Sequence, residues 1–67
     1  MDYGDFRKAV FEKLHVPGYA PGKSDEELLE AMEEYADCLQ EGFQLTDGPR
    51  GIEHGIEYAA WNIAMCI

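Results

Sequence analysis

The chain is poor in the features that usually name a chemistry. Between Ser24 and Pro49 it has no lysine and no arginine. Cysteine occurs only at Cys38 and Cys66, too sparsely for the disulfide framework of a small secreted domain, so both are read as reduced thiols. No segment approaches the roughly 20 apolar residues that a membrane span requires. The opening Met1-Asp2-Tyr3-Gly4-Asp5 has neither the basic start nor the apolar run of a secretory signal, and a cytoplasmic location is the expectation. His15, His54, Cys38 and Cys66 contain no pair at a zinc-ligand spacing, and the aspartate pattern of a calcium-binding loop is missing. Internal repeats are absent too.

What is present is a small folding unit. With 67 residues, of which 46% are apolar, the chain reads as a single domain over residues 1–67. A domain of this size buries only about 60% of the surface its unfolded chain exposes. The apolar content argues against an acidic disordered tail, in spite of a net charge of −9.

Hydrophobic periodicity predicts an all-α, compact three-helix domain, with helices over about 3–15, 24–41 and 49–66. In the first, Phe6, Ala9, Val10 and Leu14 recur at helical spacing behind Asp2 as the N-cap. Pro17 ends it, because the residue before a proline is pushed out of the helical region. A connector with two Pro-Gly pairs, Pro17-Gly18 and Pro21-Gly22, follows, and Tyr19 is expected to pin it to the core. Ser24 to Glu27 is a capping box, in which the serine hydroxyl accepts from the Glu27 N–H and the Glu27 carboxylate reaches back to the Ser24 N–H. Beyond it, Leu28, Leu29, Met32, Tyr35, Ala36 and Leu39 share one arc, and Gly42 suits the position just past a helix end. Phe43 to Thr46 reads as a loop or a short extended piece.

Asp47-Gly48-Pro49 supplies a cap and a proline for the third helix, whose stripe is Ile52, Ile56, Ala59, Ala60, Ile63 and Ile67. On its other side Tyr58, Trp61 and Met65 follow spacings of three and four. A helix apolar on two faces is either sandwiched between neighbours or presents one face to a partner, and in a three-helix domain the sandwiched arrangement is the expectation.

Motifs that would carry a reaction do not complete. Gly18 to Ser24 ends in the Gly-Lys-Ser of a phosphate-binding loop, but only three residues separate its glycines where four are needed, and Asp25, Glu26 and Glu27 would repel a triphosphate. The Asp-Ser-Leu carrier site of acyl carrier proteins is missing, and Ser24 is the sole serine. Glu53, His54 and Glu57 lie one turn apart and would need ligands from a second helix to hold a metal; solvated polar residues are the simpler reading. Neither cysteine is locally marked as an activated nucleophile. No enzyme activity, no cofactor and no metal are expected.

The informative feature is the distribution of charge. Nine acids lie between Ser24 and Pro49 (Asp25, Glu26, Glu27, Glu30, Glu33, Glu34, Asp37, Glu41 and Asp47), and the other five acids equal the five bases in number, so this one segment carries the whole net charge. At 100° per residue Glu26, Glu30, Glu33, Glu34, Asp37 and Glu41 fall within about 120° of arc, opposite the leucines. An ordinary solvated helix face mixes signs; this one has no base. Like-charged pairs three or four apart (26/30, 27/30, 30/33, 30/34, 33/37, 34/37 and 37/41) each cost about 0.2–0.5 kcal/mol. Over residues 25–41 the carboxylates give roughly one charge per 3 Å of helix, close to the phosphate spacing of about 3.4 Å along one DNA strand.

A strongly acidic protein is repelled by nucleic acid and by anionic membranes and is steered to basic surfaces. The Glu26 to Glu41 ridge on so short a chain resembles the acidic nucleic-acid mimics with which phages disarm host defence, including anti-CRISPR and anti-restriction proteins. That resemblance implies an inhibitor that occupies the basic nucleic-acid-binding surface of a partner protein or complex, plausible in a CRISPR setting as a block on target-DNA binding within the host cytoplasm. Glu26, Glu30, Glu33, Glu34, Asp37 and Glu41 would face its lysines and arginines, and Tyr35, Tyr58 and Trp61 would add specificity. The alternative is a small helical adaptor or antitoxin that docks through the Tyr58, Trp61, Met65 face. A homodimer through the third helix is compatible with both.

Overall fold

The computed structural model describes residues 2–44 and 49–66, with the side chains of 42, 44, 49 and 50 outside the description. Every regular element among them is helical: α1 (Tyr3–Leu14), α2 (Asp25–Glu34), α3 (Ala36–Gln44) and α4 (Pro49–Cys66). The all-α fold class matches the hydrophobic pattern. The predicted cap of the third helix at Asp47-Gly48 and the last stripe residue, Ile67, lie outside the described residues.

Local signals place the first two helices. The Asp2 carboxylate accepts from the Asp5 N–H at 2.8 Å, and the helix closes at His15. In the connector the Tyr19 N–H donates to the Val16 carbonyl at 3.1 Å, and Gly18 and Gly22 adopt φ of 98° and 78°. Those are left-handed conformations that glycine reaches without a Cβ penalty, and each follows a proline, as in a type II turn. Tyr19 is half-buried against the core, with the Lys13 ammonium 5.3 Å from its ring centroid. Ser24 caps α2 by accepting from the Glu27 N–H at 3.3 Å. The reciprocal half of the box differs from the expectation: the Glu27 carboxylate accepts from the Ser24 hydroxyl and pairs with Lys23.

The expected single helix over about 24–41 is two. Tyr35 leaves helical dihedrals, with φ −106° and ψ 26°, and the chain resumes as α3. Packing at the far end of α1 accounts for the bend. His15, at the end of α1, bonds Asp25, at the start of α2, and the Tyr3 hydroxyl donates to the Ala36 carbonyl at 3.4 Å, so α2 runs back antiparallel along α1. A straight continuation would carry Phe43 some six residues, about 9 Å, past the level of Tyr3. Instead Phe43 packs edge-on against both Tyr3 and Phe6, with ring centroids 6.1 and 5.7 Å apart. The same contact explains why α3 runs through Gly42 to Gln44 and the predicted loop at Phe43 is helical. Edge-to-face aromatic pairs contribute about 0.5–1.5 kcal/mol each, enough to offset the roughly 1 kcal/mol that a glycine costs inside a helix.

The core is wholly apolar: Phe6, Val10 and Leu14 from α1, Leu28, Ala31 and Met32 from α2, Leu39 from α3, and Ala59, Ala60 and Ile63 from α4. Among the described residues no polar or charged side chain is buried. The α1–α4 packing is the most extensive, and two of the three core side chains from α4, Ala59 and Ala60, are small. The sandwiched arrangement expected for Tyr58, Trp61 and Met65 is overturned. These residues are 49%, 57% and 69% exposed, because α4 is covered on one side only.

This burial pattern sets two unequal costs. Phe6→Ala should lose about 3–5 kcal/mol through the cavity it leaves, most of the stability of so small a domain. Trp61→Ala should change stability by no more than about 0.5 kcal/mol. Urea unfolding followed by circular dichroism compares them, and similar losses from both would contradict the core assigned here.

Candidate protein-docking surface

The six ridge acids divide between two helices. Glu26, Glu30, Glu33 and Glu34 stand on α2, Asp37 and Glu41 on α3, and all six are exposed. The continuous row read from the sequence over residues 25–41 is thus two shorter rows with a bend at Tyr35. The like-charged spacings that survive within a helix are 26/30, 27/30, 30/33, 30/34 and 37/41, a repulsion of about 1–2.5 kcal/mol in all.

The ion pairs among the described residues leave this ridge untouched. Lys13 meets Glu57 at 3.7 Å, Lys23 meets Glu27 at 3.7 Å, and His15 meets Asp25 at 2.9 Å. Asp25 and Glu27, the two paired acids of α2, sit in its first turn, where the positive helix end already favours them. Among the described residues none of the four outward acids of α2 is ion-paired, and only Glu26 of the four shares the favourable first turn.

A second source of negative potential adjoins them. Glu27, Glu30 and Glu34 line a shallow groove of about 190 Å³ together with Ala31 and Cys66. Cys66 is the last residue of α4, a helix of 18 residues whose C-terminal end carries partial negative charge. The nearby Cys66 side chain is the main cause raising the Tyr35 phenol above its ordinary value. Tyr35 is half-buried and packs against the core, so of the three residues expected to give specificity it is the one that also anchors the fold.

Tyr58 and Trp61 stand on the open face of α4 with Met65, and the Asn62 side-chain amide donates to the Tyr58 carbonyl at 2.8 Å. From Tyr58 to Cys66 α4 has no charged side chain. The C-terminal end of this stripe meets the acidic groove at Cys66, so the aromatic and acidic surfaces are neighbours, which the sequence pattern alone did not reveal.

Other candidate chemistry stays dispersed. Glu53, His54 and Glu57 are exposed, and among the described residues no three His, Cys, Asp or Glu side chains are grouped to hold a metal ion. The Gly18 to Ser24 segment joins two helices and has no preceding strand. No helix among the described residues is long and apolar enough to cross a membrane. Compared with family models, curated proteins and solved structures, the chain matches none.

Sequence reasoning missed His15. Its Nδ1 lies 2.8 Å from the Phe11 carbonyl and its Nε2 2.9 Å from an Asp25 carboxylate oxygen. Two acceptors ask both ring nitrogens to donate, and the Asp25 hydrogen bond, then the Phe11 one, raises the His15 pKa above 6.5. The imidazolium therefore ties the end of α1 to the start of the acidic helix. Because the folded value is raised, this stabilisation is complete below pH 6.5 and fades as pH climbs through the raised value. His15→Gln should lower the melting temperature at about pH 5.5 and leave it nearly unchanged at about pH 8.5. A deficit that is the same at both values would remove the ion pair from the account.

Proposed function

We propose that this protein is a nucleic-acid decoy, an inhibitor that occupies the basic nucleic-acid-binding surface of a partner protein or complex. One observation carries the reading: Glu26, Glu30, Glu33, Glu34, Asp37 and Glu41 are all exposed, and none takes part in an ion pair among the described residues. On α2 four of these acids occupy ten residues, roughly one unpaired carboxylate per 4 Å, close to the phosphate spacing of about 3.4 Å along one DNA strand. Lysines and arginines that hold phosphates would meet carboxylates instead, as a stoichiometric block without catalysis or cofactor. The charges would speed encounter and make binding salt-sensitive, while Tyr58 and Trp61, on the helix whose last residue lines the acidic groove, would fix the register. The resemblance to phage anti-CRISPR and anti-restriction mimics makes a CRISPR effector that must bind target DNA the first partner to try.

A second reading has its own support. The exposure of Tyr58, Trp61 and Met65 suits an adaptor or antitoxin that docks through α4, its acids serving only solubility.

Displacement of labelled duplex DNA from a purified effector complex, followed by fluorescence anisotropy, separates the two. Decoy action predicts displacement by the wild-type protein that weakens steeply between about 50 and 300 mM salt. It also predicts loss of displacement in Glu30→Lys/Glu34→Lys/Asp37→Lys with helix content unchanged. Full inhibition by that triple variant would refute the decoy, and loss in Trp61→Ala at every salt concentration would favour the adaptor.

A further inference from the structure

The uncharged face of α4 is bounded by acid at both ends. Tyr58, Trp61 and Met65 share one side of the helix, and all three are exposed. At the C-terminal end, Cys66 lines a groove with Glu27, Glu30 and Glu34. At the N-terminal end, exposed His54 stands one turn before Tyr58, in a shallow hollow with Glu53 and Glu57. Glu57 meets Lys13 and Glu27 meets Lys23, but no ion pair among the described residues engages Glu30, Glu34 or Glu53. From His54 to Cys66 the helix runs about 18 Å.

Charge and shape together select what covers such a face. A second copy of the chain fits poorly. Laid antiparallel, α4 of each copy would set its acidic groove against the Glu53 hollow of the other; laid parallel, groove would meet groove. Nucleic acid and anionic membranes are repelled for the same reason. An extended strand needs a free backbone edge to add to, whereas α4 offers side chains only, its amide and carbonyl groups being bonded within the helix. A helix packs through side chains alone, and lysine or arginine at its ends would answer the acids.

We propose that this face binds a short basic amphipathic helix of another protein, apolar along its middle and carrying lysine or arginine at both ends. About three turns of helix match the 18 Å between the two acidic ends. Its apolar residues cover Tyr58, Trp61 and Met65, one basic end enters the groove beside Glu30 and Glu34, and the other reaches Glu53. The inference builds on the docking reading of α4 and names the chemistry of its partner; it does not depend on the decoy.

Trp61 is the sole tryptophan of the chain and is 57% exposed, so its fluorescence reports directly on cover. A tryptophan-free synthetic peptide with a leucine stripe flanked by lysines should shift that emission to shorter wavelength at about 0.15 M salt, where charges beyond about 8 Å are screened. It should bind at least about tenfold more tightly than the same peptide with glutamates or serines in place of its lysines. Tyr58→Ala, Met65→Ala, Glu30→Lys and Glu53→Lys should each weaken it about fivefold or more, with helix content unchanged by circular dichroism. Glu12→Lys makes the same change of net charge on a residue that lines neither acidic end, and should alter binding less than about twofold. Equal binding of the three peptides would overturn the basic partner while leaving α4 a docking face, and a Trp61 band that none of them moves would remove the face as well. Equal weakening by Glu12→Lys and Glu30→Lys would reduce the binding to general attraction and overturn the proposal too. So would sedimentation of the free protein at twice the 7.6 kDa chain, abolished in Trp61→Ala, since a second copy would then be the occupant. DNA displacement from an effector is read separately, so the decoy stands or falls on its own.

Discussion

Everything in this molecule leans on the packing of α1 against α4, the most extensive between any two of its described helices, with Phe6, Val10 and Leu14 of α1 and Ala59, Ala60 and Ile63 of α4 buried in one core. Around it a ten-residue apolar cluster forms, with no polar or charged side chain buried among the described residues. An interior of this kind has no place for a carboxylate, since an ionised group without a partner is far too costly to bury. The acids are therefore held at the surface, and the core must offset the repulsion they bring. That repulsion is a sizeable fraction of the few kcal/mol such a domain has to spare.

The bend at Tyr35 shows how the core shapes the surface. Rings at the N-terminal end of α1 capture Phe43 and draw α3 back over the core. The carboxylates on α3 are thereby set off from those on α2, and two spacings that would have brought Glu33 and Glu34 against Asp37 on one helix no longer lie on one helix. A contact among buried rings thus decides how negative charge is laid out for a partner.

Three surfaces follow from four helices on so small a core. One is the acidic flank of α2 and α3. The second is the uncharged aromatic stripe of α4, joined to the first at Cys66. The third is the α1–α2 groove, lined by Arg7 and Lys8, neither of them ion-paired among the described residues. Each helix can bury only one stripe when few neighbours are available, so apolar residues beyond that stripe, such as Leu29, Trp61 and Met65, are left in solvent.

Much of this was legible in the amino-acid order. The caps at Asp2 and Ser24, the left-handed turns at Gly18 and Gly22, and the buried stripes of α1 and α4 follow from local chemistry, because they depend on residues within a turn of one another. The segregation of charge is a property of composition along the chain. Tertiary packing alone decided the break at Tyr35, since the heptad-like spacing of Leu28, Met32, Tyr35 and Leu39 fits one straight helix equally well. It also decided that Tyr58, Trp61 and Met65 face water, because periodicity marks a second apolar face without saying whether a neighbour covers it. The His15–Asp25 tie and the meeting of α4 with the acidic groove are likewise distance relations between elements. Sequence determined which side chains each helix could offer; the arrangement of helices around one thin core determined which of them the protein shows.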